Sequence, residues 1–159
     1  MAIIRVTTRI EAPPEICFQL ALSVDLHMIS TQSTQEKIIA GVMTGVLQLG
    51  DSVTFRARHF GIWQTLTSKV TELTAPSYFC DVMQRGAFKR MRHEHYFEQA
   101  GASTLMRDVF EFESPLGWIG KIVDALILKN YLRRFLLERC SVVKQYAETD
   151  AWQNVLTIS

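Results

Sequence analysis

The spacing of apolar and polar residues divides the chain into three regions. Residues 3–10, IIRVTTRI, are β-branched and alternating, which predicts a strand. Residues 13–30 open with two prolines and continue with apolar residues at helical spacing, which predicts one helix or two short helices. Alternating stretches between turn residues then predict six consecutive antiparallel strands, at 36–48, 51–59, 62–73, a short one after Pro76, 87–99 and 103–114.

The periodicity changes after Ser114 from two residues to about 3.6. Apolar residues then recur at helical spacing, so residues 116–148 read as one long amphipathic helix. The order of strand, short helices, strand meander and long helix predicts an α+β fold with one antiparallel sheet of seven strands. A twisted sheet of this width tends to curl, and one helix about 10–12 Å across cannot fill the trough. We therefore expect a cavity between sheet and helix.

Composition fits a globular protein. The 159 residues suit one domain, assigned to 1–148 with a C-terminal tail at 149–159, and 48% of them are hydrophobic. The formal net charge of +1 gives no global attraction to polyanions, so no nucleic-acid partner is expected. The basic stretches RGAFKRMR and LRRFLLER are interpreted as solvated faces.

The number of cysteines and the hydropathy of the chain indicate its cellular compartment and whether it crosses a membrane. Cys17, Cys80 and Cys140 lie far apart and are odd in number, which favours reduced, buried thiols in a cytoplasmic protein. The N-terminal residues show no basic start followed by an apolar stretch, so secretion is not expected. The most apolar segment, WIGKIVDALILKNYL, contains three charged residues and falls short of the ~18 uncharged ones that a spanning helix needs. We expect no integral membrane segment.

Several segments together resemble one superfamily. They are RIEAPPEICFQLALSVDLH, LGDSVTFRARHFG, RGAFKRMRHEHYFE, STLMRDVFEF and SPLGWIG, and they cover most of the chain in order. They are similar to the START-like or SRPBCC superfamily, which includes the birch pollen allergen, polyketide cyclases and lipid-transfer domains. The resemblance implies a helix-grip fold, with the curved sheet wrapped around the C-terminal helix and a hydrophobic pocket between them. It does not fix the function, because this fold hosts carriers, receptors, cyclases and chaperone regulators.

The stretch MRHEHYFE, residues 91–98, places two histidines in apolar company. Successive side chains of a strand point to opposite faces, so His93 and His95 share one face with Met91 and Phe97. A two-residue turn centred on 100–101 would set the register of the hairpin. It would pair Phe97 with Thr104, His95 with Met106 and His93 with Asp108, and place Met106, Asp108, Phe110 and Phe112 on the histidine face.

Three interpretations of this cluster compete. His93, His95 and Asp108 could ligate a metal, since alternate strand residues reach one ion, but no further Cys or His cluster supports it. His93 and Asp108 could be the catalytic pair of a cyclase, dehydratase or isomerase, because an acid beside an imidazole tunes its pKa for proton transfer. We favour the third interpretation, a hydrogen-bonded polar cluster that at most orients a ligand. No cofactor and no metal are expected.

A further set of residues is predicted to line the cavity. His59 alternates with apolar residues on its strand, and Gln64 would lie opposite that strand if Phe60 and Gly61 form the turn. Trp63 would then point to the other face. The predicted ligand contacts are His59, Gln64, Met91, His95, Phe97, Met106, Phe110, Phe112, Leu126, Ile127 and Phe135.

The sequence favours a non-catalytic protein that binds or carries a small hydrophobic molecule, such as a lipid or an aromatic, polyketide-like metabolite. The enzyme described above is the first alternative. The second is an interaction module, in which the basic residues Lys129, Arg133, Arg134 and Lys144 of the last helix make transient contact with a membrane or protein. The sequence leaves the choice between monomer and homodimer open.

Overall fold

A computed structural model describes residues 1–156, which form an α+β fold with one sheet and five α-helices. The strands are β1 Ala2–Ile10, β2 Lys37–Gly41, β3 Ser52–His59, β4 Ile62–Thr74, β5 Tyr78–Arg85, β6 Arg90–Ala100 and β7 Ser103–Glu113. The helices are α1 Pro14–Leu22, α2 Val24–Ser30, α3 Gly117–Val123, α4 Lys129–Ala147 and α5 Ala151–Leu156. A 3-10 turn, Gln32–Thr34, follows α2.

The seven strands form one antiparallel sheet in the order β1-β7-β6-β5-β4-β3-β2. Short hairpins join the consecutive strands from β3 to β7, the longer segment 42–51 joins β2 to β3, and β1 is added beside β7. The apolar face of the sheet packs against α1 and α4. Core residues alternate along β1 as Ile4, Val6 and Ile10, which is the pattern of a strand with one buried face. Seven strands, two short helices after β1 and a long C-terminal helical segment confirm the predicted fold.

The second strand is shorter than predicted. The expected strand over 36–48 ends at Gly41, and residues 42–51 run as turns and irregular backbone. Gly41 has a φ of +83°, a conformation that side-chain-bearing residues rarely adopt, and its backbone passes directly against the carbonyl of Ser52. The apolar residues beyond it, such as Val46 and Leu47, pack on the core from this irregular segment.

The long C-terminal helix contains an irregularity. Between α3 and α4, residues Asp124–Leu128 form a π-helical turn, so helical backbone runs from Gly117 to Ala147 with one wider turn. A π-turn inserts an extra residue and rotates the side chains that precede it relative to those that follow. Asp124 caps the end of the preceding strand, since its Oδ2 accepts from the backbone N–H of Ser114.

The register of the β6–β7 hairpin differs from the prediction by two residues. Ala100 pairs with Ser103, so the turn is centred on Gly101 and Ala102. Gly101 has a φ of +65°, which explains why the turn is placed there. A shift of two leaves every side chain on its predicted face but changes its partner. Phe97 therefore pairs with Met106, and neither Phe97–Thr104 nor His95–Met106 is a pair.

The predicted C-terminal tail, residues 149–159, contains the short helix α5. α5 packs against α1 and α4, and Val155 is buried in the core. Residues 157–159 of the predicted tail lie outside the described residues. Among residues 1–156, no helix is both long and apolar enough to cross a membrane.

Candidate functional site

A cavity of about 420 Å³ lies between the sheet and α4. Strands β3 to β7 supply its floor and α4 covers it, together with residues 114–116 and Val123. Its walls are mostly apolar and aromatic. The apolar ones include Phe55, Ala57, Phe60, Leu66, Phe88, Met91, Phe110, Leu116, Leu128, Leu132, Phe135 and Leu136, and the polar ones include His27, Glu36, His59, Gln64, Ser68, Asp81, His93, Tyr131 and Arg139.

Five of the predicted ligand contacts lie in these walls: His59, Gln64, Met91, Phe110 and Phe135. The predicted catalytic residue His93 also lines the cavity. The wall therefore combines residues from β3, β4, β6, β7 and α4, which are far apart in sequence.

Four other predicted contacts are buried outside the walls: His95, Phe97, Met106 and Phe112. The structure buries them away from the cavity instead, and α1 covers part of this sheet face. Phe18 of α1 packs edge-on against Phe97, with ring centroids 5.5 Å apart. His95 is covered by the ring of Phe79, stacked at 4.1 Å.

Leu126 and Ile127, which were also predicted to contact a ligand, lie outside the walls as well. They are 69% and 53% exposed. Both lie in the π-turn, which breaks the regular spacing on which the prediction depended. Phe135 lies in α4, beyond the π-turn, and its side chain lines the cavity.

The β3–β4 hairpin has the predicted register. Ala57 pairs with Gln64, with Phe60 and Gly61 in the turn. Trp63 points away from the cavity, where the guanidinium of Arg56 lies 4.8 Å from its ring centroid. This cation–π contact accounts for a large aromatic side chain on the solvent face.

His59 connects the sheet to the helix across the cavity. Its Nδ1 lies 2.7 Å from the hydroxyl of Tyr131, and its ring packs edge-on against Phe135 at 5.9 Å. Burial lowers the pKa of His59 below its ordinary value. A neutral imidazole and a tyrosine hydroxyl thus form one polar position in an otherwise apolar wall.

A second polar group lies where β5, β6 and β7 run side by side. Asp81 of β5 pairs with His93 of β6, and His95 pairs with Asp108 of β7, so all four side chains point to the same face. His95 donates from Nδ1 to Asp108 Oδ1 and from Nε2 to Asp81 Oδ1, both at 3.0 Å. The Cys140 thiol donates to Asp108 Oδ2 at 3.0 Å.

The expected pairing of His93 with Asp108 is wrong. His95 takes that place because of the two-residue register difference, and His93 pairs with Phe110 instead. The closest approach of His93 Nε2 to Asp108 Oδ1 is 3.9 Å, too long for a hydrogen bond. Asp108 is buried beneath His95 and is not part of the cavity wall.

Charges within this group are strongly coupled. Burial raises the pKa of Asp108, but the charge of His95 and its hydrogen bond lower it more, so the carboxyl titrates well below its usual range. Burial opposes a charge on His95, yet the two carboxylates hold its pKa above the ordinary value. Desolvation, with repulsion from His95, lowers the pKa of His93 to about 3. The group therefore contains an imidazolium between two carboxylates, with a neutral imidazole beside it.

His93 has an unmet hydrogen-bonding capacity. Its side chain is buried, and Nε2 is one of two buried side-chain nitrogen or oxygen atoms within residues 1–156 that have no hydrogen-bond partner. The ring centroids of His93 and His95 are 3.8 Å apart, less than the roughly 6.5–7 Å between alternate residues along a strand, so the two side chains lean toward each other. Most buried polar atoms in proteins are paired, so this nitrogen points to a missing contact.

Sequence reasoning missed several polar residues of the site. Asp81 alternates with Phe79 and could have been assigned to the histidine face, but the register of β5 was not fixed by a recognisable turn. Tyr131, Glu36 and Arg139 gave no signal, because each looks like an ordinary surface residue of its element. The three cysteines are buried and unpaired, as predicted.

Solved structures share this architecture. A START superfamily protein from Mycobacterium smegmatis is 13% identical, with a TM-score of 0.69 over 92% of this chain and 97% of its own. Ginseng major latex-like protein 151 from Panax ginseng is 12% identical, with a TM-score of 0.68 over 93% and 98%. A protein from Thermus thermophilus is 15% identical, with a TM-score of 0.69 over 89% and 97%.

No family model and no curated protein matches the sequence. The structural likeness shows the class of fold. The chain has the START-like helix-grip fold that the sequence segments resemble.

Proposed function

We propose that the protein binds a small, largely apolar molecule, such as a lipid or an aromatic metabolite, in the cavity between the sheet and α4. The observation that supports this most is the cavity itself, whose volume of about 420 Å³ falls in the range of 300–1,000 Å³ typical of ligand sites. Apolar walls with a few convergent polar groups are the usual composition of such sites.

The polar wall residues suggest how a ligand would be oriented. His59 with Tyr131 lies on one side of the cavity, and Gln64 lies on the neighbouring strand. Asp81 and His93 line the cavity from β5 and β6. A ligand with an apolar body and hydrogen-bonding groups would bury its body against Phe110 and Phe135 and reach these side chains.

The proposal can be tested by filling the cavity. Ala57 is buried and lines it, while Arg58, the next residue of β3, points to solvent. We expect Ala57→Phe to fold but to lose ligands that native mass spectrometry detects on the wild type, whereas Arg58→Phe keeps them. If the wild type carries nothing and no member of lipid and aromatic libraries raises its melting temperature, the proposal fails.

The enzymatic alternative has less support from the geometry. The predicted acid, Asp108, is covered by His95 and accepts from Cys140, so it reaches a bound molecule only through other side chains. Of the predicted pair, only His93 lines the cavity. An enzyme would therefore use His93 without the direct carboxylate partner that the sequence suggested.

We also propose that α3 and the π-turn contact a lipid bilayer when a ligand enters or leaves. This apolar patch consists of Leu116, Trp118, Ile119, Ile122, Leu126 and Ile127, and all six side chains are exposed. Leu116 also lines the cavity, so the patch continues into its wall. Lys121 lies within the patch, and apolar surface with basic side chains favours anionic membrane surfaces.

Of the basic residues predicted for such contact, Arg133 and Arg134 are exposed on α4. Lys144 is engaged elsewhere: it donates to the backbone carbonyl of Arg9 and forms an ion pair with Glu148. We therefore place the membrane contact at the apolar patch and leave Lys144 out of it.

A further inference from the structure

Three side chains converge at the sheet side of the cavity with ligand atoms close together. They are the carboxylate of Asp81 and the imidazoles of His93 and His95, and one nitrogen or oxygen from each lies within 4.8 Å of the other two. We propose that these residues bind one divalent transition-metal ion. This site would lie beside the proposed ligand cavity, but the proposal does not depend on ligand binding.

The backbone fixes this arrangement without strain. His93 and His95 alternate on β6, and Asp81 lies directly opposite His93 on β5. Alternate side chains of one strand, with a third from its neighbour, give a three-sided set on one face of a rigid sheet. Sites on strands hold ligand geometry better than sites on loops.

The unpaired nitrogen of His93 is the independent observation that points to an ion. This side chain is buried, and its Nε2 has no hydrogen-bond partner. Nothing in the described part of the chain, residues 1–156, satisfies that nitrogen. A metal ion shared with Asp81 and His95 would satisfy it, and would take the place of the proton between His95 Nε2 and Asp81 Oδ1, which are 3.0 Å apart.

The surroundings match the supports that metal ligands usually have. Metal-bound histidines commonly donate their second ring N–H to a carboxylate, and His95 donates from Nδ1 to Asp108 at 3.0 Å. Asp108 is fixed in turn by the Cys140 thiol, and the second oxygen of Asp81 accepts from Ser68 at 2.8 Å. Both carboxylates are therefore oriented by further hydrogen bonds.

The donor set identifies the class of ion. Two imidazoles and one carboxylate suit Zn²⁺, Fe²⁺ or Co²⁺, whereas Ca²⁺ and Mg²⁺ prefer oxygen ligands alone. Because Asp81 and His93 also line the cavity, an ion held by them would have its remaining coordination position open to it. A water molecule or an oxygen atom of a bound molecule would complete the coordination there.

The first experiment uses the untagged wild type after chelator treatment and dialysis. We expect Co²⁺ to bind at one ion per chain and to give visible d–d absorption, without the near-ultraviolet charge-transfer band that a cysteine ligand produces. Zn²⁺ should displace it. Substoichiometric Co²⁺ binding, or a thiolate band from Cys140, would overturn the proposal.

Variants assign the ligands. His93→Gln and Asp81→Asn are expected to weaken Zn²⁺ binding by more than about 100-fold, and Asp108→Asn, which acts through His95, by roughly 10- to 100-fold. His59→Gln is the matched control, because His59 lines the same cavity outside the metal site, and it should bind as the wild type does. Circular dichroism checks the fold of each variant. Unchanged Zn²⁺ affinity in folded His93→Gln and Asp81→Asn would contradict the assignment, and the wild-type Co²⁺ spectrum decides the matter if neither folds.

Discussion

At the scale of single residues, the buried charges of the sheet depend on one another. His95 donates to two carboxylates, so Asp81 and Asp108 both lose their main charged partner if this imidazole is removed. Breaking a buried ion pair is more costly than replacing the whole pair, because it leaves an uncompensated charge in a low-dielectric interior.

We predict that His95→Leu lowers the free energy of unfolding of the metal-free protein by about 3–5 kcal/mol. The reason is that Asp108 stays buried with only the Cys140 thiol as donor. Urea unfolding followed by circular dichroism measures this loss. The double variant His95→Leu/Asp108→Leu serves as the control and should be more stable than the single variant; a single variant as stable as the wild type would contradict the interpretation.

His59 gives a prediction about pH. Burial lowers its pKa in the folded state, so below the ordinary value of 6.5 the unfolded chain binds a proton that the folded chain resists. Stability should therefore fall as the pH drops below about 6.5, and His59→Gln should make that fall shallower. The Tyr131 hydroxyl and the ring of Phe135 face the imidazole, and the Glu36 carboxylate acts on it at a distance. Equal slopes of melting temperature against pH for both proteins, between pH 7.5 and 5, would refute the prediction.

Residue-level roles were only partly predictable from the sequence. Alternation placed His93 and His95 on the correct buried face, because the two-residue period of a strand is insensitive to register. The partner of each histidine was not predictable, since it depends on which of Ala100, Gly101 and Ala102 occupy the turn. Asp81 joins the cluster only through pairing between strands, which a single sequence does not specify.

At the scale of elements, Gly41 sets the end of β2. A Cβ at this position would overlap the Ser52 carbonyl, whereas at Gly50, with a similar φ of +87°, it would meet nothing within 4 Å. The two glycines share a positive φ and differ in their surroundings.

We predict that Gly50→Ala costs about 1–2 kcal/mol of stability, from the left-handed backbone conformation alone. Gly41→Ala should cost clearly more, because the clash with backbone atoms of β3 cannot be relieved by a side-chain movement. Chemical denaturation of both variants measures the difference, which isolates the close approach of β2 and β3. Equal losses would show that Ser52 moves aside easily.

The apolar patch on α3 and the π-turn gives a second prediction at this scale. Trp118 is 73% exposed, so its replacement removes little internal packing. We expect Trp118→Ser to reduce co-sedimentation with vesicles that contain anionic lipid and to leave the melting temperature within about 2 °C of the wild type. Trp63→Ser, on the solvent face of β4, is the matched control and should bind vesicles normally. Unaltered binding of Trp118→Ser would exclude the patch as the membrane contact.

Elements were predicted well where the hydrophobic period was regular. The meander of strands followed from alternation and turn residues, and the long helix from its 3.6-residue period. The π-turn at Asp124–Leu128 was not predictable, because an inserted residue leaves local composition unchanged. Leu126 and Ile127 lie in this turn and are exposed, so neither is part of the cavity wall.

At the scale of the whole molecule, the cavity couples ligand binding to stability. A molecule that binds only the folded state stabilises it by about 2.7 kcal/mol when its free concentration is 100 times Kd. For a chain of this size we predict a rise in melting temperature of roughly 5–11 °C. Differential scanning fluorimetry measures it, and Ala57→Phe should show no rise. A ligand that stabilises both proteins equally would be bound outside the cavity.

The overall fold was the most predictable level. The order of elements determined an α+β architecture, and the width of the sheet against a single helix predicted unfilled space. The residues of the cavity wall were less predictable, because Phe18 of α1 covers part of the sheet face. The periodicity of the sequence does not show which part of the sheet lies under α1 and which part lies under α4.

The position of β1 at the edge beside β7 has a consequence for biosynthesis. Ile4 meets its partner Phe110 only after roughly a hundred further residues have been made. At about 5–20 residues per second, the first strand waits on the order of 5–20 s outside the ribosome, with its apolar side chains uncovered. During that interval the nascent chain is a natural client for a ribosome-associated chaperone.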